Sequence, residues 1–168
     1  MIFASGSGTN AENIILYFKN NPIANVVAVF TNNPNAPIID KANNLKVPTF
    51  VFSREELKSE VFLQKLNDFK PDLIVLAGFL WQFPVSIIAS YNNKIINIHP
   101  ALLPNYGGKG MYGMNVHKAI FENKETETGI TIHYVNENYD EGKIIFQKSV
   151  AISNCKSPEE IAIKIHEL

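Results

Sequence analysis

The chain has 168 residues, 46% apolar and 18% charged, with a formal net charge of −1. That is the balance of a single globular domain, and it excludes a disordered chain and a broad cationic face for nucleic acid. No apolar run approaches the ~18 residues of a membrane helix. The start, "MIFASGSG", lacks the basic and long apolar regions of a secretory signal. The one cysteine, Cys155, excludes an internal disulfide and fits a reducing, cytoplasmic setting.

In chain order, residues 2–4 read as a short strand that enters the loop "SGSGTNA". Residues 10–19 have helical spacing, with Ile14, Ile15 and Phe18 on one face. "NVVAVFT" (25–31) is a continuous apolar run, as expected of a strand buried on both faces. Residues 37–44 read as a short helix and "PTFVF" as a third strand. Ser53 and Glu56 form a capping box that predicts one helix through "SREELKSEVFLQKLNDF". "PDLIVLAG" and "KIINIH" are the fourth and fifth strands, and residues 113–121 are helical. "TGITIHYVN" and "GKIIFQKSVAI" alternate with period 2, which predicts a late antiparallel pair covered on one face. Ser157 caps a last helix, and the chain stops in "EIAIKIHEL" without a stop signal. Further residues are therefore expected beyond Leu168, and a few before Met1.

Strands alternating with helices place the chain in the α/β class, with a mostly parallel central sheet, right-handed crossovers and one domain over 1–168. Ligands of such sheets bind beyond the carboxyl ends of the strands. In the first loop, Gly6 and Gly8 allow a sharp turn and close backbone approach, and a helix amino terminus follows. With Thr9 and Asn10 this suits a phosphate. A dinucleotide fingerprint would also want an acidic residue after the second strand, where Thr31, Asn32 and Asn33 stand instead.

The fifth strand ends "NIHP". Residues two apart on a strand share a side, so Asn97 and His99 face one way until Pro100 ends the ladder. An imidazole can give or take a proton near neutrality, and an amide can donate to a developing oxyanion. A carboxylate beside the imidazole would raise its pKa, and "NENYDEGK" offers Asp140, just before Gly142 and a strand, with Glu137 and Glu141 as rivals. His117 reads as a packed or marginal helix residue, His133 as a mid-strand residue and His166 as a helix residue. No H-x-x-H, H-E-x-x-H or C-x-x-C spacing points to a metal, and no G-x-S-x-G points to an acyl-enzyme.

"ASGSGTN", "LAGF", "NIHPALLPNYGG" and "GITIHYVNENYDEGKIIFQ" occur in one order along essentially the whole chain. Together they resemble the folate-dependent formyltransferases, and "GSGTN" resembles the branch that acts on glycinamide ribonucleotide. The resemblance implies a Rossmann-like formyltransferase fold. It also implies direct transfer of a formyl group from 10-formyltetrahydrofolate, a co-substrate, to the amine of glycinamide ribonucleotide in purine synthesis. By matching positions, Asn97, His99 and Asp140 would be catalytic. Gly8, Thr9 and Asn10 would bind the substrate phosphate. Arg54, Leu80, Trp81, Gln82 and Phe83, with Asn97, would bind the folate. The expected partners are these small molecules, with no nucleic acid, membrane or metal, in a monomer or homodimer. The segment "NYGGKGMYGMNVHKAI" is longer than the family pattern, which leaves Asn115 without an assigned role. A substrate-binding glutamate of the family would fall just beyond Leu168. Formyltetrahydrofolate hydrolase, methionyl-tRNA formyltransferase and an inactive binder are the alternatives. The absent regulatory domain, the absent tRNA-binding domain and the retained trio argue against each in turn.

Overall fold

A computed structural model describes residues 1–168. The chain folds as two compact units, Met1–Ile95 and Ile96–Leu168. No helix is long and apolar enough to cross a membrane.

The first unit alternates β1 (Ile2–Phe3), α1 (Thr9–Lys19), β2 (Val29–Thr31), α2 (Ile38–Asn44) and β3 (Thr49–Val51). It continues with α3 (Arg54–Leu57), α4 (Glu60–Asp68), β4 (Ile74–Leu76) and α5 (Val85–Ser90). The strands are parallel in the order β3-β2-β1-β4. Their apolar runs are continuous because Ile2, Phe3, Val29, Phe30 and Ile74 are buried between helical layers. The ladders are short, and an aromatic cluster holds them together. Phe3 and Phe30 stack at 5.1 Å, Phe62 meets Phe30 edge-on at 5.7 Å, and Phe52 lies 4.8 Å from Phe62.

The helix expected over 53–69 is two helices. The Ser53–Glu56 capping box starts α3, and Ser59 then restarts the chain as the cap of α4. The Ser59 hydroxyl donates to the Glu56 carbonyl at 2.7 Å and accepts from the Phe62 N–H at 3.1 Å. A side-chain hydroxyl thus replaces the backbone bonds that would have continued one helix. Ser59→Ala is expected to cost about 1 kcal/mol, read from the urea midpoint. Helix α5 is opened by Pro84, and its apolar stretch is too short to show a period in the sequence.

β5 (Ile95–His99) carries the chain into the second unit, which adds α6 (Met114–Glu122), β6 (Glu127–Tyr134), β7 (Ile144–Ala151) and α7 (Pro158–His166). β6 and β7 form the expected antiparallel pair, with a bulge at Ile132/His133. β5 is antiparallel to β6 as well. In β6, Gly129, Thr131 and His133 form the buried face. β7 departs from expectation. It pairs on one side only, and Ile144, Ile145 and Phe146 are 41%, 47% and 49% exposed. Val116 and Ile120 of α6 pack with Ile161 and Ile165 of α7, Ala101 and Ile152. Ser157 caps α7 as predicted, accepting from the Glu160 N–H at 3.3 Å.

Candidate active site

The period of two in β5 turns Asn97 and His99 toward the same carboxylate. Asn97 Nδ2 lies 3.3 Å from Asp140 Oδ1, and His99 Nδ1 lies 3.6 Å from Asp140 Oδ2. Asp140 reaches them from the turn between β6 and β7, where it adopts a left-handed backbone with φ 58°. The turn closes at Gly142, where a Cβ would fall on the Tyr134 carbonyl. The Gly108 N–H also donates to Asp140 Oδ2 at 2.9 Å. Of the rival carboxylates, Glu141 instead accepts from Asn138 at the surface, and Glu137 is exposed. A cleft of about 390 Å³ opens beside Asp140, lined among others by Leu103, Gly107, Gly108, Gly142 and Ile144.

A fourth residue enters the cluster. The β5–β6 register sets His133 opposite Asn97. His133 Nδ1 donates to the Tyr134 carbonyl at 2.8 Å, so in the neutral ring Nε2 is an acceptor. It receives Asn97 Nδ2 at 3.1 Å and lies 3.5 Å from Asp140 Oδ1. Both N–H bonds of the Asn97 amide are therefore committed to protein acceptors. The sequence shows His133 only as a mid-strand residue, because its neighbours are set by the antiparallel pairing of β5 and β6. The roles of Thr131 and Gln147 likewise depend on strand pairing that no local pattern shows. The Thr131 hydroxyl donates to the Ala101 carbonyl at 2.6 Å and accepts from the Leu103 N–H at 3.0 Å. Gln147 Nε2 donates to the Leu103 carbonyl at 2.8 Å and to the Thr131 hydroxyl at 2.9 Å. These bonds hold the loop that leaves His99.

Burial sets the electrostatics. His99 is 3% exposed, and its pKa lies below the usual imidazole value. Desolvation is the largest cause, outweighing the attraction of Asp140 and the hydrogen bond to the Tyr106 carbonyl. The expectation that Asp140 leaves His99 with a raised pKa is thus reversed: the carboxylate raises it, and burial lowers it further. For Asp140, burial raises the pKa, but the neighbouring His133 and His99 rings and the Gly108 N–H together bring it below the carboxylate norm. The pair stands as carboxylate and neutral imidazole near pH 7.

His117 is buried on α6, and its Nδ1 has no hydrogen-bond partner. Its pKa is lowered to about 4, by desolvation first and then by His166 and His99. The unfolded ring, with a pKa near 6.5, binds protons that the folded ring refuses. Stability is therefore complete above about pH 6.5 and is lost as pH falls toward 4, by about 3 kcal/mol from this residue. His117→Leu is expected to flatten that acid limb in urea titrations at pH 4 to 7. The lowered pKa of His99 adds in the same direction.

In the first unit, Gly8 caps α1 in the left-handed region (φ 67°), and no side chain caps that helix end. A Cβ on Gly8 would lie 2.5 Å from the Ile38 side chain, so glycine is required there. Thr9 and Asn10 open the helix, and the Thr9 hydroxyl is 3.3 Å from that of Ser7. The strand ends around the loop are tied together: Ser5 Oγ accepts from the Leu80 N–H at 3.0 Å, and Asn33 Nδ2 donates to the Ser5 carbonyl at 3.4 Å. Arg54 lies over the Trp81 ring, 5.6 Å from its centroid. Leu80 and Gln82 are exposed. The Phe83 ring is buried edge-on to Phe3 at 4.9 Å and presents no side-chain surface to a ligand.

The family model described as formyl transferase matches residues 1–168. A chloroplastic phosphoribosylglycinamide formyltransferase of Arabidopsis thaliana is 39% identical over 132 residues, covering 76% of this chain and 45% of that protein. A phosphoribosylglycinamide formyltransferase of Bacillus subtilis is 32% identical over 173 residues, covering 99% of this chain and 86% of that protein. The chain spans about half the length of the plant relatives it matches. Among solved structures, phosphoribosylglycinamide formyltransferase from Anaplasma phagocytophilum superposes with a TM-score of 0.88 at 31% identity, covering 99% of this chain and 78% of that one.

Proposed function

Since the chain belongs to the formyl transferase family, we propose that it transfers the formyl group of 10-formyltetrahydrofolate to the amine of glycinamide ribonucleotide. The convergence of Asn97, His99 and Asp140 carries this reading, and relatives described as phosphoribosylglycinamide formyltransferases support it. The substrate amine attacks the formyl carbon, forming a C–N bond and a tetrahedral oxyanion. Neutral His99 takes the proton from the new ammonium and returns it to N10 of the folate as the N10–C bond breaks. Tetrahydrofolate leaves, no enzyme-bound intermediate forms, and the proton count closes. Asp140, ionised beside His99, stabilises the transient imidazolium. Asn97 donates to the oxyanion by releasing the longer of its two contacts, that to Asp140.

Gly8, Thr9 and Asn10 receive the substrate phosphate on the uncapped end of α1. Arg54, Leu80, Trp81 and Gln82 hold the folate, and Phe83 contributes only through the backbone it steadies. The setting is the cytoplasm, with small molecules as partners, no nucleic acid, and a monomer or homodimer as the working form. One assay tests the reading: 10-formyltetrahydrofolate is supplied with and without glycinamide ribonucleotide, and tetrahydrofolate release is followed. Release that requires the ribonucleotide supports transfer. Release without it marks a hydrolase, and no release in either arm marks a binder.

A further inference from the structure

The loop after His99 turns back on the imidazole, and the Tyr106 carbonyl accepts from His99 Nε2 at 2.8 Å. Tyr106 reaches this position with φ 57°, a left-handed conformation that a tyrosine adopts only under constraint. The constraint is visible at the far end of the side chain. Its hydroxyl donates to Glu125 Oε1 at 2.6 Å and accepts from Asn123 Nδ2 at 2.9 Å. Both partners lie in the turn that leaves α6, which is itself pinned by N–H bonds from Asn123 to Ala119 and from Glu125 to Ile120. Between these ends, the ring packs on the cluster that contains Ala101, Val116 and Ile120. The proton-transfer chemistry does not use the phenol, yet the phenol ties the backbone facing His99 to a helix end.

We propose that Tyr106 is a positioning residue for His99: its phenol, held between Asn123 and Glu125, fixes the left-handed backbone whose carbonyl keeps the imidazole proton on Nε2. A neutral imidazole carries one N–H. With that hydrogen on Nε2, the Nδ1 lone pair lies beside Asp140 and can take the proton released by the attacking amine. If the carbonyl is released, the Nδ1–H form becomes accessible, donates to Asp140, and removes that lone pair. The phenol is suited to the task because burial first, and the bond to Glu125 second, raise its pKa and keep it a donor.

The proposal rests on formyl transfer only for its effect on turnover; the tautomer can be read without any substrate. Tyr106→Phe deletes the hydroxyl and keeps the ring, Glu125→Ala deletes the acceptor, and Glu125→Gln keeps one. In ¹⁵N imidazole spectra of the full chain, wild type and Glu125→Gln are expected to hold His99 as Nε2–H. Tyr106→Phe and Glu125→Ala are expected to populate Nδ1–H, with kcat about tenfold lower, one charge-assisted hydrogen bond's worth, and unchanged KM for both substrates. Unchanged His99 spectra in Tyr106→Phe overturn the proposal, whatever happens to melting temperature. A shifted tautomer with full kcat overturns it equally. Should Tyr106→Phe fail to fold, the Glu125→Ala and Glu125→Gln pair decides on the same criteria. A wild-type protein inactive in formyl transfer refutes the functional reading, and the spectra then judge the positioning role by themselves.

Discussion

His99→Ala is expected to lower kcat by about 10²–10⁴-fold, the range for loss of a positioned general acid–base. Folate affinity should stay close to wild type. The size follows from what the imidazole does: it must take a proton from the ammonium and return it to N10 within one turnover. No other group in the cluster can substitute. Asp140 is held ionised with its pKa depressed, and its Oδ2 is occupied by the Gly108 N–H. His133 is tied by Nδ1 to the Tyr134 carbonyl, and its acceptor Nε2 is occupied by Asn97. Asp140→Asn should also lower kcat strongly, because the transient imidazolium would lose its counter-charge in a buried site. The pH profile provides a second check. Neutral His99 is the working form, so kcat should be flat near pH 7 and fall only below the lowered imidazole pKa. Turnover near wild type in His99→Ala, with fluorescence-monitored folate binding intact, removes His99 from the mechanism.

Asn97→Ala is expected to lower kcat by about 10²–10³-fold, as for loss of one oxyanion donor. The amide also spans Asp140 and His133. Its removal leaves the acceptor nitrogen of His133 and one oxygen of Asp140 without that donor, and both face a low-dielectric site. Asn97→Asp keeps the shape but sets a second carboxylate against Asp140, so one of the two should take up a proton and the activity should not recover. Steady-state kinetics on both variants, with circular dichroism to confirm folding, check this. Recovery in Asn97→Asp would show that the amide N–H groups have no part in the chemistry.

Much of this could be read along the chain because it depends on near neighbours. The Ser53–Glu56 box, the Ser157 cap and the glycine turn before α1 are set within a few residues. The alternation that sends Asn97 and His99 the same way belongs to the strand itself. The α/β class follows from strand and helix patterns taking turns, and the family resemblance from motifs kept in order.

What the sequence left open needed partners distant in the chain. His133 joined the cluster only because β6 runs antiparallel to β5, opposite Asn97. Asp140, placed first among the three carboxylates by its position before Gly142, reaches the pair through a left-handed turn that no local pattern announces. The sign of the His99 shift was also a tertiary matter. Charge neighbours can be guessed from sequence, but desolvation depends on everything packed around the ring, and here it outweighs the carboxylate. The sequence by itself determined which groups stand at the strand end and which way they face. The tertiary structure decided how Asp140 reaches them, which donors are already committed, and the charge His99 carries at rest, because each depends on burial and long-range pairing.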